Sequence, residues 1–93
     1  MQKLNDAQIN EKLSKITGWE RKGDFIQKEF QFADFRMALA MMVQIGIEAE
    51  RMNHHPNWSN VYNRLNISLS THDAGGLTQK DFDLANKIEE IVA

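Results

Sequence analysis

The chain has 93 residues, a size that buries one modest core, so we expect a single domain spanning residues 1–93. It has no cysteine, which excludes a disulfide scaffold, a thiolate metal site and a cysteine nucleophile. Its 11 basic and 13 acidic side chains nearly balance, so charge gives no reason to expect nucleic acid or an anionic membrane as a partner.

The first predicted element is a helix near the N-terminus. Asn5 is a favourable N-cap with Gln8 three residues later, as in a capping box. One apolar stripe follows, formed by Ile9, Leu13 and Ile16. Gly18 is placed to end this helix.

Residues 19–32 predict a β-hairpin with a turn at Gly23-Asp24, because apolar and polar residues partly alternate there. A long helix is then predicted from Ala33 to about Asn53, with Asp34 as its cap and apolar residues on more than one side. Pro56 disfavours helix at the preceding residue, so this helix should end just before two adjacent histidines.

Two more strands are predicted at residues 58–62 and 65–71, with a turn at Asn63-Arg64. In the second of them, Ser68, Ser70 and His72 share the polar side. A loop at residues 73–76 leads to a last helix with Thr78 as N-cap and Asp81 at the third position. The order α-β-β-α-β-β-α predicts an α+β fold, a four-stranded antiparallel sheet covered by helices.

No segment of the sequence resembles a targeting signal or a membrane span. The chain turns polar directly after Met1, without the apolar region of a secretory signal. Its most apolar stretch, residues 37–47, is far shorter than the roughly 20 residues that a span needs. We therefore expect a cytoplasmic protein with no membrane partner.

The candidate chemistry lies in the three histidines and one carboxylate. Glu50 and His54 are four residues apart, so they would meet on one helix face if the helix reached His54. A carboxylate there can hold an imidazole in one tautomer. His55 should point elsewhere because Pro56 breaks the helix, and His72 is placed at the end of the fourth strand. All three histidines thus fall at the ends of predicted elements, which favours a functional site.

Other interpretations of these residues remain open. A histidine near a helix C-terminus can simply interact with the helix dipole, and His72 alone could be an exposed strand end. Glu50 alone could be a solvated helix residue. The histidine spacing matches no zinc motif, and Ser70 lies too close to His72 in the strand for a nucleophilic triad.

Three segments carry a more specific pattern. They are Glu50-x-x-x-His54-His55-Pro56-x-Trp58, Leu69-Ser70-Thr71-His72 and Gly76-Leu77-Thr78-x-x-Asp81. This pattern closely resembles the pterin-4a-carbinolamine dehydratase family, and the resemblance covers nearly the whole chain. Asp73 stands where many relatives have Glu, and Arg51 where many have Lys.

The resemblance implies an enzyme that dehydrates 4a-hydroxytetrahydropterin to quinonoid dihydropterin without a metal or organic cofactor. It implies that His54, His55 and His72 surround the pterin. We expect His54 to be the principal acid–base, oriented by Glu50, with His72 acting on the other side of the reacting centre and His55 binding the ring. Further expected pocket residues are Pro56, Thr71, Asp73 and Ala74. Asp81 is expected to support the site, and Trp19 to form part of the pocket wall.

The resemblance also implies partners beyond the pterin substrate. Family members form dimers and tetramers, so we expect a homodimer or homotetramer. The pterin would be recycled for an aromatic amino acid hydroxylase. Animal relatives also serve as dimerisation cofactors of a transcription factor, so a non-catalytic interaction module of the same fold is the alternative function.

Overall fold

The elements of the computed structural model, which describes residues 2–93, follow the predicted order. They are α1 (Asp6–Leu13), β1 (Glu20–Lys22), β2 (Phe25–Gln31), α2 (Phe35–Met52), β3 (Asn57–Val61), β4 (Arg64–Leu69) and α3 (Gln79–Val92), with a single 3₁₀ turn at His72–Ala74 among the described residues. The four strands form one antiparallel sheet, so the predicted α+β fold is confirmed.

The sheet has the strand order β1-β2-β4-β3, which places β4 beside both β2 and β3. Apolar residues of β2 and β4 lie on one face and are buried in the core with residues of α2 and α3. These strand residues are Ile26, Phe30, Leu65, Ile67 and Leu69. The other face carries polar side chains such as Asn66 and Ser68, as the alternation in β4 predicted. A cavity lies on this polar face.

Three predicted boundaries were wrong, each for a local reason. α1 ends at Leu13, well before Gly18, because the next turn tightens: the N–H groups of Lys15 and Ile16 donate three residues back, to the carbonyls of Lys12 and Leu13, rather than four. The hairpin between β3 and β4 turns at residues 62–63, where Tyr62 adopts a φ of 54°. β4 ends at Leu69 because Thr71 forms only an isolated bridge with Gly76.

Helix α2 is the longest of the three helices formed by residues 2–93, and Asp34 caps it by accepting from the Met37 N–H. None of the helices in this part of the chain combines the length and the apolar composition needed to cross a membrane.

Candidate active site

Helix α2 ends just before the two adjacent histidines. Asn53 adopts the left-handed conformation, with φ 53° and ψ 44°. Its N–H donates to the Glu50 carbonyl and the His54 N–H donates to the Ala49 carbonyl, each at 3.0 Å, which is the Schellman motif. Because the helix ends before His54, that residue no longer shares a helix face with Glu50. The predicted pairing of Glu50 with His54 is therefore wrong.

His54 instead pairs with a residue 27 positions away in the sequence. Its Nε2 lies 2.6 Å from Oδ1 of Asp81. His54 is only 8% exposed and Asp81 is completely buried. The expectation that a carboxylate holds His54 is met by a different carboxylate, from α3 rather than α2.

Asp81 occupies this position because it belongs to the capping box of α3. Its Oδ2 accepts from the Thr78 N–H at 2.9 Å, as the sequence predicted, and the other oxygen remains available for His54. The Thr71 hydroxyl also donates to Oδ2, at 2.9 Å. A helix cap thus supplies the carboxylate of a buried histidine–aspartate pair.

Thr71 reaches Asp81 through the loop that follows β4. Its N–H donates to the Gly76 carbonyl at 2.9 Å, which turns the chain towards the start of α3. Its hydroxyl lies 2.7 Å from the Thr78 hydroxyl, so the two threonines and Asp81 form one buried network. Thr71, predicted to line the pocket, lies in this network and not on the wall of the cavity described below. Asp81, predicted to support the site, holds His54 from the same network.

His55 pairs with Glu50 in an exposed position. Its Nε2 lies 2.7 Å from Oε1 of Glu50, and the two side chains are 59% and 79% exposed. Exposed side-chain pairs of this kind contribute little to stability, about 0–1 kcal/mol. Glu50 thus orients the second histidine of the pair, and it does so where solvent or a ligand can reach the ring.

A cavity of about 380 Å³ lies beside His55 and His72. It is lined by Asp24, Phe25, His55, Asn57, Ser68, Ser70, His72, Gly75 and Gly76. Asn57 of β3 is the register partner of Ser68 of β4, so the cavity extends over the polar face of the sheet. Its volume falls in the range of small-molecule sites.

The cavity therefore brings together two of the three histidines. Pro56 precedes the lining residue Asn57, and Asp73 and Ala74 lie between His72 and Gly75, but none of these three lines the cavity itself. The expectation for Trp19 is wrong. Trp19 is buried in the core, where its ring makes a T-shaped contact with that of Phe30, and its indole N–H donates to Glu89 at 3.0 Å.

Our sequence interpretation missed several residues of the cavity wall. Ser68 and Ser70 could have been found, because the alternation in β4 placed them on the same side as His72. Asp24 could not, because it meets Ser70 only through the pairing of β2 with β4. The Ser70 hydroxyl donates to the Asp24 carbonyl at 2.6 Å across 46 residues of sequence.

The titratable groups of residues 2–93 include no cluster of three or more His, Cys, Asp or Glu side chains arranged to hold a metal ion. Asp81 faces the imidazole of His54, and Glu50 faces that of His55. The arrangement offers proton donors and acceptors beside a small cavity, which suits acid–base chemistry on a small molecule.

Known proteins resemble this chain over nearly its whole length. A family model described as "Pterin 4 alpha carbinolamine dehydratase" matches residues 2–91. A protein of Christiangramia forsetii named "Putative pterin-4-alpha-carbinolamine dehydratase" is 52% identical over 92 residues, which are 99% of this chain and 95% of that protein. A protein of Roseiflexus sp. (strain RS-1) with the same name is 49% identical over 90 residues, covering 97% of both chains.

Two solved structures resemble the fold. A "transcriptional coactivator/pterin dehydratase" from Brucella melitensis superposes with a TM-score of 0.95 at 35% identity, covering 98% of this chain and 99% of the other. A "pterin dehydratase-like protein" described as a RuBisCO assembly factor in the alpha-carboxysome has a TM-score of 0.70 at 19% identity, covering 82% and 90%. The second likeness concerns the fold alone.

Proposed function

Because this chain belongs to the pterin 4 alpha carbinolamine dehydratase family, we propose that it dehydrates 4a-hydroxytetrahydropterin to quinonoid dihydropterin. The observation that carries the proposal is the cavity of about 380 Å³ with His55 and His72 on its wall. His54 comes directly before His55 in the chain and has its own carboxylate partner. The product would be recycled as the reduced pterin of an aromatic amino acid hydroxylase.

The reaction needs two proton transfers. The C4a–O bond breaks as a proton joins the departing hydroxyl to form water, and N5 loses its proton as the C4a–N5 double bond forms. Imidazole can serve as acid or base near neutral pH, so histidines suit both transfers. Neither transfer calls for a metal or an organic cofactor.

We assign the principal acid–base role to His54, because Asp81 holds its ring in one orientation. His72, which lines the cavity, acts on the opposite side of the reacting centre. His55, held by Glu50 and exposed, binds the pterin ring. Pro56, Asp73 and Ala74 flank the lining residues and shape the margins of the pocket.

The test is pterin turnover, followed by absorbance, in His54→Ala and His72→Ala variants. General acid–base groups typically contribute about 10²–10⁴-fold to rate, so each variant should lose at least about 100-fold in kcat. Lys15→Ala, which changes an exposed lysine beyond α1, is the control and should keep full activity. Full activity in both histidine variants would overturn the proposal.

We also propose that the chain forms a homodimer or homotetramer through α2. Leu39, Val43 and Ile47 recur every four residues on this helix and are about half exposed, which leaves an apolar row that residues 2–93 do not cover. Light scattering across a concentration series should show association that Val43→Glu abolishes. Asn10→Glu, on the exposed surface of α1, adds the same charge and should leave association unchanged.

The alternative function is a non-catalytic interaction module. The same apolar row on α2 favours it, and the neighbour from Brucella melitensis carries the word coactivator beside pterin dehydratase in its name. The turnover assay separates the two functions, because an interaction module would fold and associate normally but would not dehydrate the pterin.

A further inference from the structure

The two oxygens of Asp81 face different partners, and the buried network decides which oxygen faces which. Oδ2 accepts from the Thr78 N–H, and a backbone amide can only donate. The Thr71 hydroxyl donates to the same oxygen. Oδ1 is thereby directed at Nε2 of His54, 2.6 Å away.

The direction of the hydroxyl hydrogen bonds follows from the same network. The Thr71 hydroxyl has one proton and gives it to Asp81, so the 2.7 Å contact between the threonines requires the Thr78 hydroxyl to donate to Thr71. The Thr78 oxygen in turn accepts from the Lys80 N–H at 3.3 Å. Every donor in this series points towards Asp81.

The His54 ring then has one nitrogen inside the network and one outside it. A carboxylate only accepts, so Nε2 must carry the proton that it shares with Oδ1. Within residues 2–93, Nδ1 makes no hydrogen bond, and no buried side-chain nitrogen or oxygen lacks a partner. Nδ1 therefore lies in the small part of His54 that solvent reaches.

We propose that Thr71 and Thr78 are positioning residues that turn Oδ1 of Asp81 towards His54, so that Asp81 keeps the ring in the Nε2–H tautomer and Nδ1 is the nitrogen that exchanges protons during the reaction. The proton-exchange half of this inference rests on the proposed dehydratase function. The tautomer half does not, and it can be measured without substrate.

The first test needs only the unaltered protein. Imidazole ¹⁵N chemical shifts report which ring nitrogen carries the proton, and His54 can be assigned by comparison with His55→Ala and His72→Ala variants. At a pH where the ring is neutral, His54 should carry its proton on Nε2. A proton on Nδ1 would overturn the inference whatever the activity of the protein.

The second test reverses the polarity of the network with Asp81→Asn. The amide oxygen should take the position of Oδ2, since two donors point there, and the amide NH₂ would then face Nε2 of His54. The ring must accept at Nε2 and carry its proton on Nδ1. In the serine-protease triad the same substitution imposes the wrong tautomer and lowers kcat about 10⁴-fold. We expect the tautomer to switch here and kcat to fall by about 10²-fold or more with little change in KM.

The third test compares Thr71→Val with Thr71→Ser. Valine has the shape of threonine without the hydroxyl, so Asp81 loses one donor and Thr78 loses its acceptor, whereas serine retains both hydrogen bonds. We expect both variants to keep the Nε2–H tautomer, because Asp81 still only accepts. We expect kcat to fall about tenfold for Thr71→Val, whose carboxylate is held by one donor fewer, and to stay close to that of the unaltered protein for Thr71→Ser. Equal kcat in the two variants would overturn the positioning role.

These measurements separate the inference from the proposed function. A protein with the Nε2–H tautomer but no turnover would retain the tautomer half and lose the dehydratase proposal. An active protein in which His54 carries its proton on Nδ1 would retain the dehydratase proposal and lose the tautomer half. If Asp81→Asn failed to fold, the shifts of the unaltered protein and the Thr71 pair would still decide the outcome.

Discussion

The two adjacent histidines make hydrogen bonds of nearly equal length to carboxylates in very different surroundings. His54 and Asp81 are separated by 2.6 Å and are almost completely buried, whereas His55 and Glu50 are separated by 2.7 Å and are largely exposed. Distance alone would make the pairs equivalent. Burial makes them different, because a buried polar group that loses its partner cannot turn to water.

The difference indicates separate tasks for the two pairs. The buried pair ties the end of α2 to the start of α3 and holds one ring in place. His55 of the exposed pair lines the cavity, where its ring can contact a ligand. Three substitutions test this contrast, from the largest expected effect to the smallest.

Replacing Asp81 should show how much the buried pair contributes to the free energy of unfolding. Asp81→Ala removes the acceptor of three donors: the Thr78 N–H, the Thr71 hydroxyl and His54. Each buried donor left without a partner costs about 1–3 kcal/mol, so we expect a loss of about 3 kcal/mol or more in the free energy of unfolding. Urea denaturation measures it. A loss under 1 kcal/mol would mean that the network contributes little.

Substitutions of Asn53 test the turn that ends α2 just before His54 and His55. Its left-handed conformation (φ 53°) strains a residue with a Cβ atom, so Asn53→Ala should destabilise the protein by about 1 kcal/mol. Asn53→Gly, the matched variant, adopts this conformation without strain and should be at least as stable as the unaltered protein. Thermal unfolding compares the two, and equal melting temperatures would contradict the prediction.

Glu50 should show how little the exposed pair adds to stability. Glu50→Gln keeps the shape of the side chain but removes its charge, so unfolding free energy should change by less than about 0.5 kcal/mol. If Glu50 orients His55 towards the pterin, turnover should still fall, by up to about tenfold. A stability loss as large as that of Asp81→Ala would remove the contrast between the pairs.

Salt offers a control for this last comparison. Exposed charges are screened at high ionic strength, and buried pairs are screened much less. The difference in turnover between Glu50→Gln and the unaltered protein should shrink as salt is added. The effect of Asp81→Asn should persist.

Local signals predicted much of the fold because the physics that they reflect is local. The capping boxes at Asn5 and Thr78 involve residues three apart, and the structure contains both. The alternation in β4 predicted which of its residues enter the core. The pairing of Glu50 with His54 was predicted wrongly because one left-handed residue, Asn53, ends the helix and changes which side chains can meet.

By itself, the sequence determined the element order, the polar side of β4 and the family pattern that contains all three histidines. Only the tertiary structure decided which carboxylate each histidine faces and which serines and loop residues surround the cavity. The reason is distance along the chain. Asp81 reaches His54 across 27 residues and Asp24 reaches Ser70 across 46, and such contacts depend on how helices and strands pack rather than on any local pattern.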